Sequence, residues 1–374
     1  MQPDKPFRIL HFGLLKTLSS GIKAQLDAEE SAAGHLSDDI EWRICFFSHD
    51  AVDRAYMKRP AVRFPLFKHH PLGKYLRLRL GAYQWLRENA GYYDAILLRH
   101  PLGDPLLPHY LKDLNNVFTV HHTNELGEID PNESWAKYIQ YRIEQRAGKA
   151  VLGRTNGIVA LTGEILEAEQ KRAQPDPPAG YISPNGIDLN NIMMPQDRRE
   201  GPIKLVSLCS KPYPWQGLDL ITAALKGSDK QNIEIHLIGD ISPQTFGSDP
   251  RLHYHGMVPH AQLAAKLGQF DLGLGSFALE RKSMKEACTL KTREYLAAGL
   301  PVYAHHRDSG LPVDFPYFIN APFDVERAID LAKTFRAIPR ETIREMAAPY
   351  IDKHALLQRL AEWLKKQSRP DQVR

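Results

Sequence analysis

The sequence predicts an α/β protein made of two doubly wound, Rossmann-like parallel sheets, each in its own domain. Three observations carry this. Short apolar runs alternate with helical patterns through both halves of the chain, which is the arrangement of parallel strands with crossover helices. A polar segment at residues 190–201, containing DRREG, interrupts the alternation and reads as a linker. The length of 374 residues is enough for two cores of ordinary size. We therefore expect an N-terminal domain over residues 1–185, a linker region over 186–202, a second domain over 203–345 and C-terminal helices over 346–374. Two such halves would leave a cleft between them.

FRILHF at residues 7–12 is the first strand, followed by a loop with Gly13, Ser19, Ser20 and Gly21 and then by the helical run IKAQLDAEE. Open parallel sheets begin this way and bind ligands at the carboxyl ends of their strands. The glycine spacing is not the dinucleotide fingerprint, so nicotinamide binding is not expected. Further strands are expected at residues 42–47, 95–98 and 117–120. The last runs into HHTNE, so His121 and His122 stand at a strand's carboxyl end, where an imidazole can donate to a substrate oxygen or orient it. Simple packing is the competing use, and sixteen histidines make any one of them less surprising. Residues 133–154 read as helical, and GIVALTGEI as a strand that hands over to a helix at Thr162. After the Pro-rich AQPDPPAG, Asn185 and Gly186 predict a turn, because both tolerate positive φ.

The second half repeats the alternation with IKLVSLC, a helix from Gly217, IEIHLIGD, RLHYHG, a helix from His260 and DLGLGSF. EACTLKTREYLAAGLPVYA follows at residues 286–304. Thr289 is placed to cap a helix, Gly299 to stop it, and Pro301 to force the exit into a strand at 302–304. Glu294 comes four residues after Leu290 and four before Ala298, on the small apolar stripe, where a carboxylate needs a partner. Glu286 precedes the helix. Two acids thus flank a helix N-terminus whose amides and dipole favour a phosphate, an order suited to a ligand with hydroxyls at its ends and a diphosphate between them. Two glutamates at this separation also arise by chance, and an ordinary surface helix is the competing reading. Residues 341–366 form one or two amphipathic helices, with Ala347, Tyr350, Ile351, Leu356, Leu357, Leu360 and Leu364 spaced as a buried stripe.

Composition bounds the function. Cys45, Cys209 and Cys288 are scattered and lack metal-ligand spacing, which fits a reducing compartment. No apolar run reaches the length of a membrane span, and MQPDKPFRIL lacks the core of a signal peptide, so a cytoplasmic protein is expected. The net charge of +4 and the pI of about 8.7, without a nucleic-acid motif, give no reason to expect a nucleic-acid partner. Residues 57–88 interleave Lys58, Arg59, Arg63, Lys68, Lys74, Arg77, Arg79 and Arg87 with Phe64, Phe67, Tyr75, Tyr83 and Trp85. This reads equally as a peripheral contact with anionic lipid on the cytoplasmic face of the inner membrane and as a solvated helix face with core aromatics.

The order of motifs in the second half resembles the retaining nucleotide-sugar glycosyltransferases of GT-B fold, in particular their large family-four group. SPNGID at 183–188, LCSKPYPWQGLDLITAAL at 208–225, IHLIGD at 235–240, YHGMVP at 254–259 and LKTREYLAAGLPV at 290–302 carry the resemblance. The first half is similar mainly through Gly13, Gly21 and His121. The resemblance implies two Rossmann-like domains facing a central cleft, the first for the acceptor and the second for the donor. It implies that Glu286 holds hydroxyls of the transferred sugar and stabilises its developing charge, that Glu294 accepts from ribose hydroxyls, and that amides around Thr289 and Leu290 cradle the diphosphate. The Gly256–Pro259 loop with Met257 would face the base, and His121 would line the sugar. The family places an arginine and a lysine before the glycine seen here as Gly217. Lys211 can fill the first position, but Gln216 stands in the second. There is no Asp-x-Asp to hold a divalent ion, so a mechanism without metal or other cofactor is implied, with retention of configuration. The expected reaction moves a sugar from a UDP- or GDP-sugar to a glycan or glycolipid hydroxyl in cell-surface polysaccharide or lipopolysaccharide synthesis. Epimerases and glycogen or sucrose type synthases of the same fold would need other motifs in the first half. A non-catalytic sugar-nucleotide-binding protein or partner subunit is the alternative that Gln216 keeps open.

Overall fold

The structure is a computed structural model that describes residues 5–50, 53–60, 70–124, 126–197, 199 and 201–368. The chain folds as two compact units. Residues up to Ser183, together with the chain from Leu356 onward, form the first, and Pro184–Ala355 form the second.

The first unit is a seven-stranded parallel sheet in the order β3-β2-β1-β4-β5-β6-β7. Its strands are β1 (Phe7–Leu14), β2 (Ile40–Phe47), β3 (Met57–Lys58), β4 (Ala95–Arg99), β5 (Val117–His121), β6 (Gly157–Ala160) and β7 (Ala179–Ile182). Between them run α1 (Ser20–Ala33), α2 (Pro71–Asn89), α3 (Leu107–Tyr110), α4 (Trp135–Ile143), α5 (Lys149–Leu152) and α6 (Gly163–Arg172). Side chains of β1 alternate between the two faces, as the pleat requires. Leu10 and Phe12 pack with Leu78, Ala82, Tyr83 and Leu86 of α2. Ile9 lies in the opposite core, with Trp42, Phe118 and Val159.

The second unit is a six-stranded parallel sheet in the order β10-β9-β8-β11-β13-β15, beside a two-stranded ribbon of β12 and β14. The strands are β8 (Ile203–Cys209), β9 (Ile233–Gly239), β10 (Leu252–Tyr254), β11 (Leu272–Leu274), β12 (Glu286–Ala287), β13 (Val302–Ala304), β14 (Arg307–Asp308) and β15 (Phe318–Asn320). The helices are α7 (Leu218–Gly227), α8 (Pro243–Phe246), α9 (His260–Leu267), α10 (Leu290–Ala297), α11 (Val325–Arg336) and α12 (Arg340–Ile351). Counted within each unit, both sheets begin 3-2-1-4, the doubly wound order whose ligand crevice lies where the winding reverses. The chain closes with α13 (Lys353–Gln367), whose Leu357, Leu360, Ala361 and Leu364 complete the core of the first unit around Phe118.

Several local expectations change. Gly13 lies inside β1 and Gly21 inside α1, so the loop between them is only residues 15–19. Helix α1 starts early because Ser19 caps it, its hydroxyl accepting from the Ile22 amide. Residues 133–154 are two helices joined by a π-helical turn at Glu144–Gly148. Asn185 and Gly186 form no positive-φ turn. The Asn185 side chain instead donates to Cys288 O at 2.6 Å, and its amide donates to Cys288 Sγ at 3.1 Å. Within residues 57–88, Arg79 is buried and paired to Asp104 at 2.6 Å, Tyr83 is buried, and Trp85 stacks on Phe12. Those groups serve the core, while Arg63, Phe64, Phe67 and Lys68 lie outside the described residues.

Candidate functional site

Because β13 runs parallel to its sheet neighbours, the helix α10 that precedes it must begin at the carboxyl edge of the sheet. Thr289 is the residue before its first turn, but its side chain accepts from no backbone amide of that turn, and Thr289 Oγ1 pairs instead with the Thr292 hydroxyl at 2.9 Å. Leu290 opens the helix. The stop is as the sequence implies: Gly299 has φ +64°, and a Cβ there would lie 2.3 Å from Arg340 O.

Lys291 is the residue that sequence reasoning missed. Its side chain is buried, and Nζ donates to Gly275 O at 3.0 Å, just beyond β11. Burial lowers its pKa to about 8. The reversal of winding falls between β8 and β11, so this ammonium stands where a doubly wound sheet takes its ligand. A lysine in the first turn of the helix, between Leu290 and Thr292, was the available signal.

Lys211 follows β8 on the same edge and is exposed, with Nζ 5.7 Å from the Tyr213 ring centroid. Gln216 is buried and occupied. Its Oε1 accepts from the Tyr213 amide at 3.2 Å and from Cys209 Sγ at 2.5 Å, bracing the turn that leads into α7. Its side-chain oxygen is thus taken up within that turn. Trp215 stacks on Tyr213. Met257, 66% exposed, stands in the loop after β10, and the carbonyl of Gly256 accepts from the Gly239 amide at 2.8 Å.

Glu294 has a half-buried side chain whose Oε1 lies 3.7 Å from His260 Nε2, at the start of α9. Burial raises its pKa to about 7. Glu286 sits on β12, where Oε2 accepts from Ser309 Oγ at 3.0 Å and Oε1 lies 3.4 Å from Arg307 Nη1. The two acids are mechanically linked. Arg293, fully buried on α10, makes a bidentate pair with Asp308 of β14, Nη1–Oδ2 at 2.5 Å and Nη2–Oδ1 at 2.9 Å. β14 pairs with β12, and Arg293 Nε also donates to Asn185 O at 2.9 Å. Asn185, Cys288, α10 and the ribbon bearing Glu286 are thus tied at one guanidinium. Sequence alone gave Arg293 no role.

In the first unit, Gly13 is held to glycine by packing, since a Cβ would lie 2.4 Å from the Phe46 ring. Gly21 faces open space in the first turn of α1. His121 is fully buried, its ring stacked on His100 at 4.9 Å and Nδ1 3.9 Å from Glu169 Oε2. Around it Arg172 pairs with both Glu144 and Glu169 at 2.7 Å, and His100 Nε2 lies 3.0 Å from Glu144 Oε1. Burial works to raise the Glu144 pKa, but hydrogen bonds from His100, the Gly103 amide and Arg172 hold it at about 2. The candidate residues therefore fall into two groups. Lys211, Gln216, Met257, Glu286, Thr289, Leu290 and Glu294 belong to the second unit, and Gly13, Gly21 and His121 to the first.

The sequence matches no protein-family model and no curated protein. Solved structures do resemble the fold. The lipopolysaccharide outer core galactosyltransferase WaaB, in its apo form, superposes with a TM-score of 0.59 at 13% identity, over 96% of this chain and 100% of that one. Sucrose-phosphate synthase from Thermosynechococcus elongatus gives 0.62 at 16% identity, over 96% and 98%. HepE of Anabaena, crystallised with UDP and glucose, gives 0.57 at 14% identity, over 96% and 100%. The fold is that of the GT-B glycosyltransferases.

Proposed function

We propose that the protein is a glycosyltransferase that moves a sugar from a nucleoside-diphosphate sugar to a hydroxyl of a glycan or glycolipid acceptor. The observation that carries this is the start of α10. Glu286, the first-turn amides, the buried Lys291 and Glu294 are held together at the carboxyl edge of a doubly wound sheet.

In this reading the diphosphate lies against the amides of Thr289 and Leu290, with Lys291 and Lys211 meeting its charge. Lys291 supplies the cation that Gln216 cannot. Glu294 accepts from ribose hydroxyls and Met257 lies against the base. Glu286 holds the sugar and stabilises positive charge as the bond to phosphate breaks. His121, enclosed by His100 and Glu169, positions the end of β5 rather than touching the donor. Charge on the leaving group is met by lysines and amides, so the transfer needs no metal. The leaving phosphate can itself take the acceptor's proton on the face it departs from, which gives retention.

UDP is the first nucleotide to test, because the fold neighbour HepE was crystallised with it. On the acceptor side, Trp135 and Tyr138 of α4 are exposed and stacked at 5.6 Å, a surface on which sugar rings can lie. Lipopolysaccharide or polysaccharide synthesis fits this, as does peripheral attachment through the exposed Lys58, Arg59, Lys74 and Arg87. No helix among the described residues is long and apolar enough to cross a membrane. The three cysteines are free and buried, which suits the cytoplasm. Release of UDP from UDP-glucose, UDP-galactose and related donors, with and without glycan acceptors, tests the proposal. Turnover that falls in Glu286→Ala supports it. Donor binding without any turnover would favour a non-catalytic sugar-nucleotide-binding protein.

A further inference from the structure

Away from α10, four ligand-bearing side chains gather on one face at the edge of the second sheet. Strand β9 carries Glu234 and His236; β10 carries His253, with His255 just beyond it. Alternate residues of a strand share a face. His253 lies directly opposite His236 in the register, so the E-x-H and H-x-H pairs meet. Glu234, His236 and His253 each offer one ligand atom, and all three atoms lie within 4.8 Å of one another. His236 Nε2 is 3.2 Å from Glu234 Oε2, and His236 Nδ1 is 2.8 Å from His255 Nε2. The His236 and His253 rings stack at 4.7 Å, and Phe270 backs His236 at 4.9 Å.

We propose that this cluster binds one divalent transition-metal ion of the zinc class, with Glu234, His236 and His253 as ligands and His255 orienting His236. Tetrahedral zinc takes imidazole nitrogen at about 2.0–2.1 Å, which sets neighbouring ligand atoms roughly 3.3 Å apart. Rotation of the half-buried Glu234 and His253 side chains would close the three atoms from within 4.8 Å to that spacing. Glu234 and His253 are half-buried, so an ion and a water in the fourth position can reach the site, while His236 is enclosed. A ligating imidazole fixes its tautomer and orientation through a hydrogen bond at its other nitrogen. His255 stands in that place.

Nearby charge selects among ions. Lys204, opposite Glu234 in the register, and Lys266 both act electrostatically on His236 and oppose any cation. One carboxylate against two ammonium groups is a poor site for magnesium or calcium, which bind through oxygen and charge. An ion that draws its affinity from nitrogen ligands is favoured. Its effect here is structural. It ties β10, a three-residue edge strand, to β9 immediately before the loop that carries Met257. The site takes no part in the transfer chemistry proposed above, and its test involves no nucleotide.

The test is zinc stoichiometry and affinity on full-length protein without a polyhistidine tag, by equilibrium dialysis and metal analysis. One zinc per chain is expected. Binding should be at least tenfold weaker in His253→Ala and Glu234→Gln variants with native circular dichroism, and about 10–100-fold weaker in His255→Ala. If a substitution unfolds the chain, cobalt titrated into the parent decides the matter: strong visible bands of a four-coordinate ion, bleached by zinc, are expected. No saturable zinc uptake, equal uptake by folded variants, or a cobalt spectrum that stays that of the aqueous ion would overturn the proposal.

Discussion

Replacing Asp308 by alanine should destabilise the second unit more than any exposed substitution near the candidate site. Asp308 carries both oxygens that face the Arg293 guanidinium, and both side chains are fully buried. Without them Arg293 keeps Asn185 O and Cys288 Sγ as acceptors but has no counter-charge. Breaking a buried pair from one side costs about 3–5 kcal/mol, because an unpaired charge stays behind. For a unit of this size that lowers Tm by about 6–20 °C. Gly310 leaves room for this guanidinium, because a Cβ added there would lie 2.2 Å from Nη2. Removing both charges in Arg293→Met with Asp308→Ala should recover much of the loss, because a well-packed apolar replacement of a buried pair is often neutral. Urea unfolding of the parent, both single variants and the double variant measures this. A loss below about 1 kcal/mol in Asp308→Ala, or a double variant as unstable as the sum of the singles, would mean that the buried pair does not hold the unit in this way.

Other consequences can be measured on the same protein. Glu294 has its pKa raised to about 7 from the usual 4.5, so the folded state keeps a proton that the unfolded state has lost between those values. Stability should therefore fall as pH rises from about 4.5 to 7, by up to about 3 kcal/mol, and Glu294→Gln should flatten that fall in urea unfolding at pH 5 and pH 8. Nucleotide affinity should move the opposite way, rising through about pH 7 as the carboxylate ionises, and a flat profile in the parent would remove Glu294 from the ribose. Lys291→Met should keep or raise Tm, since a buried charge is removed, while weakening nucleoside diphosphate binding about 10–100-fold by calorimetry. Unchanged affinity would leave Lys291 a packing residue. Glu286→Ala should slow turnover while leaving nucleotide affinity near that of the parent, the reverse of Glu294→Ala.

The strand-and-helix alternation was readable because parallel strands buried on both faces are short apolar runs, and ten of the strands fall on such runs or beside them. The bounds of α10 were also readable, since Thr289 before it and Gly299 and Pro301 after it are local signals, although the Thr289 side chain does not cap the helix. What the sequence could not show are contacts made across distance. Arg293 reads as one more polar helix residue until Asp308 is folded against it. Gln216 reads as a missing lysine, yet it is spent on Cys209 and the Tyr213 amide. His121 stands at a strand's carboxyl end as expected, but the sequence could not reveal that Glu144, Glu169 and Arg172 enclose it. Gly13 and Gly21 suggested a loop because glycine is common there. Their neighbours show that one makes room for Phe46 and that the other fills a helix turn. E-x-H and H-x-H are a metal pattern only on paired strands, and that pairing is a tertiary fact.

A thermal-shift panel of UDP, GDP, ADP, dTDP and CDP, on the parent and on Glu294→Ala, shows whether a nucleotide binds at the start of α10. A ligand of the folded state at a hundred times its dissociation constant adds about 2.7 kcal/mol, or about 5–11 °C in Tm for a unit of this size. One diphosphate should shift the parent by that order and leave Glu294→Ala nearly unmoved. Equal shifts in parent and variant, or no shift with any of the five, would contradict a nucleotide site at the start of α10.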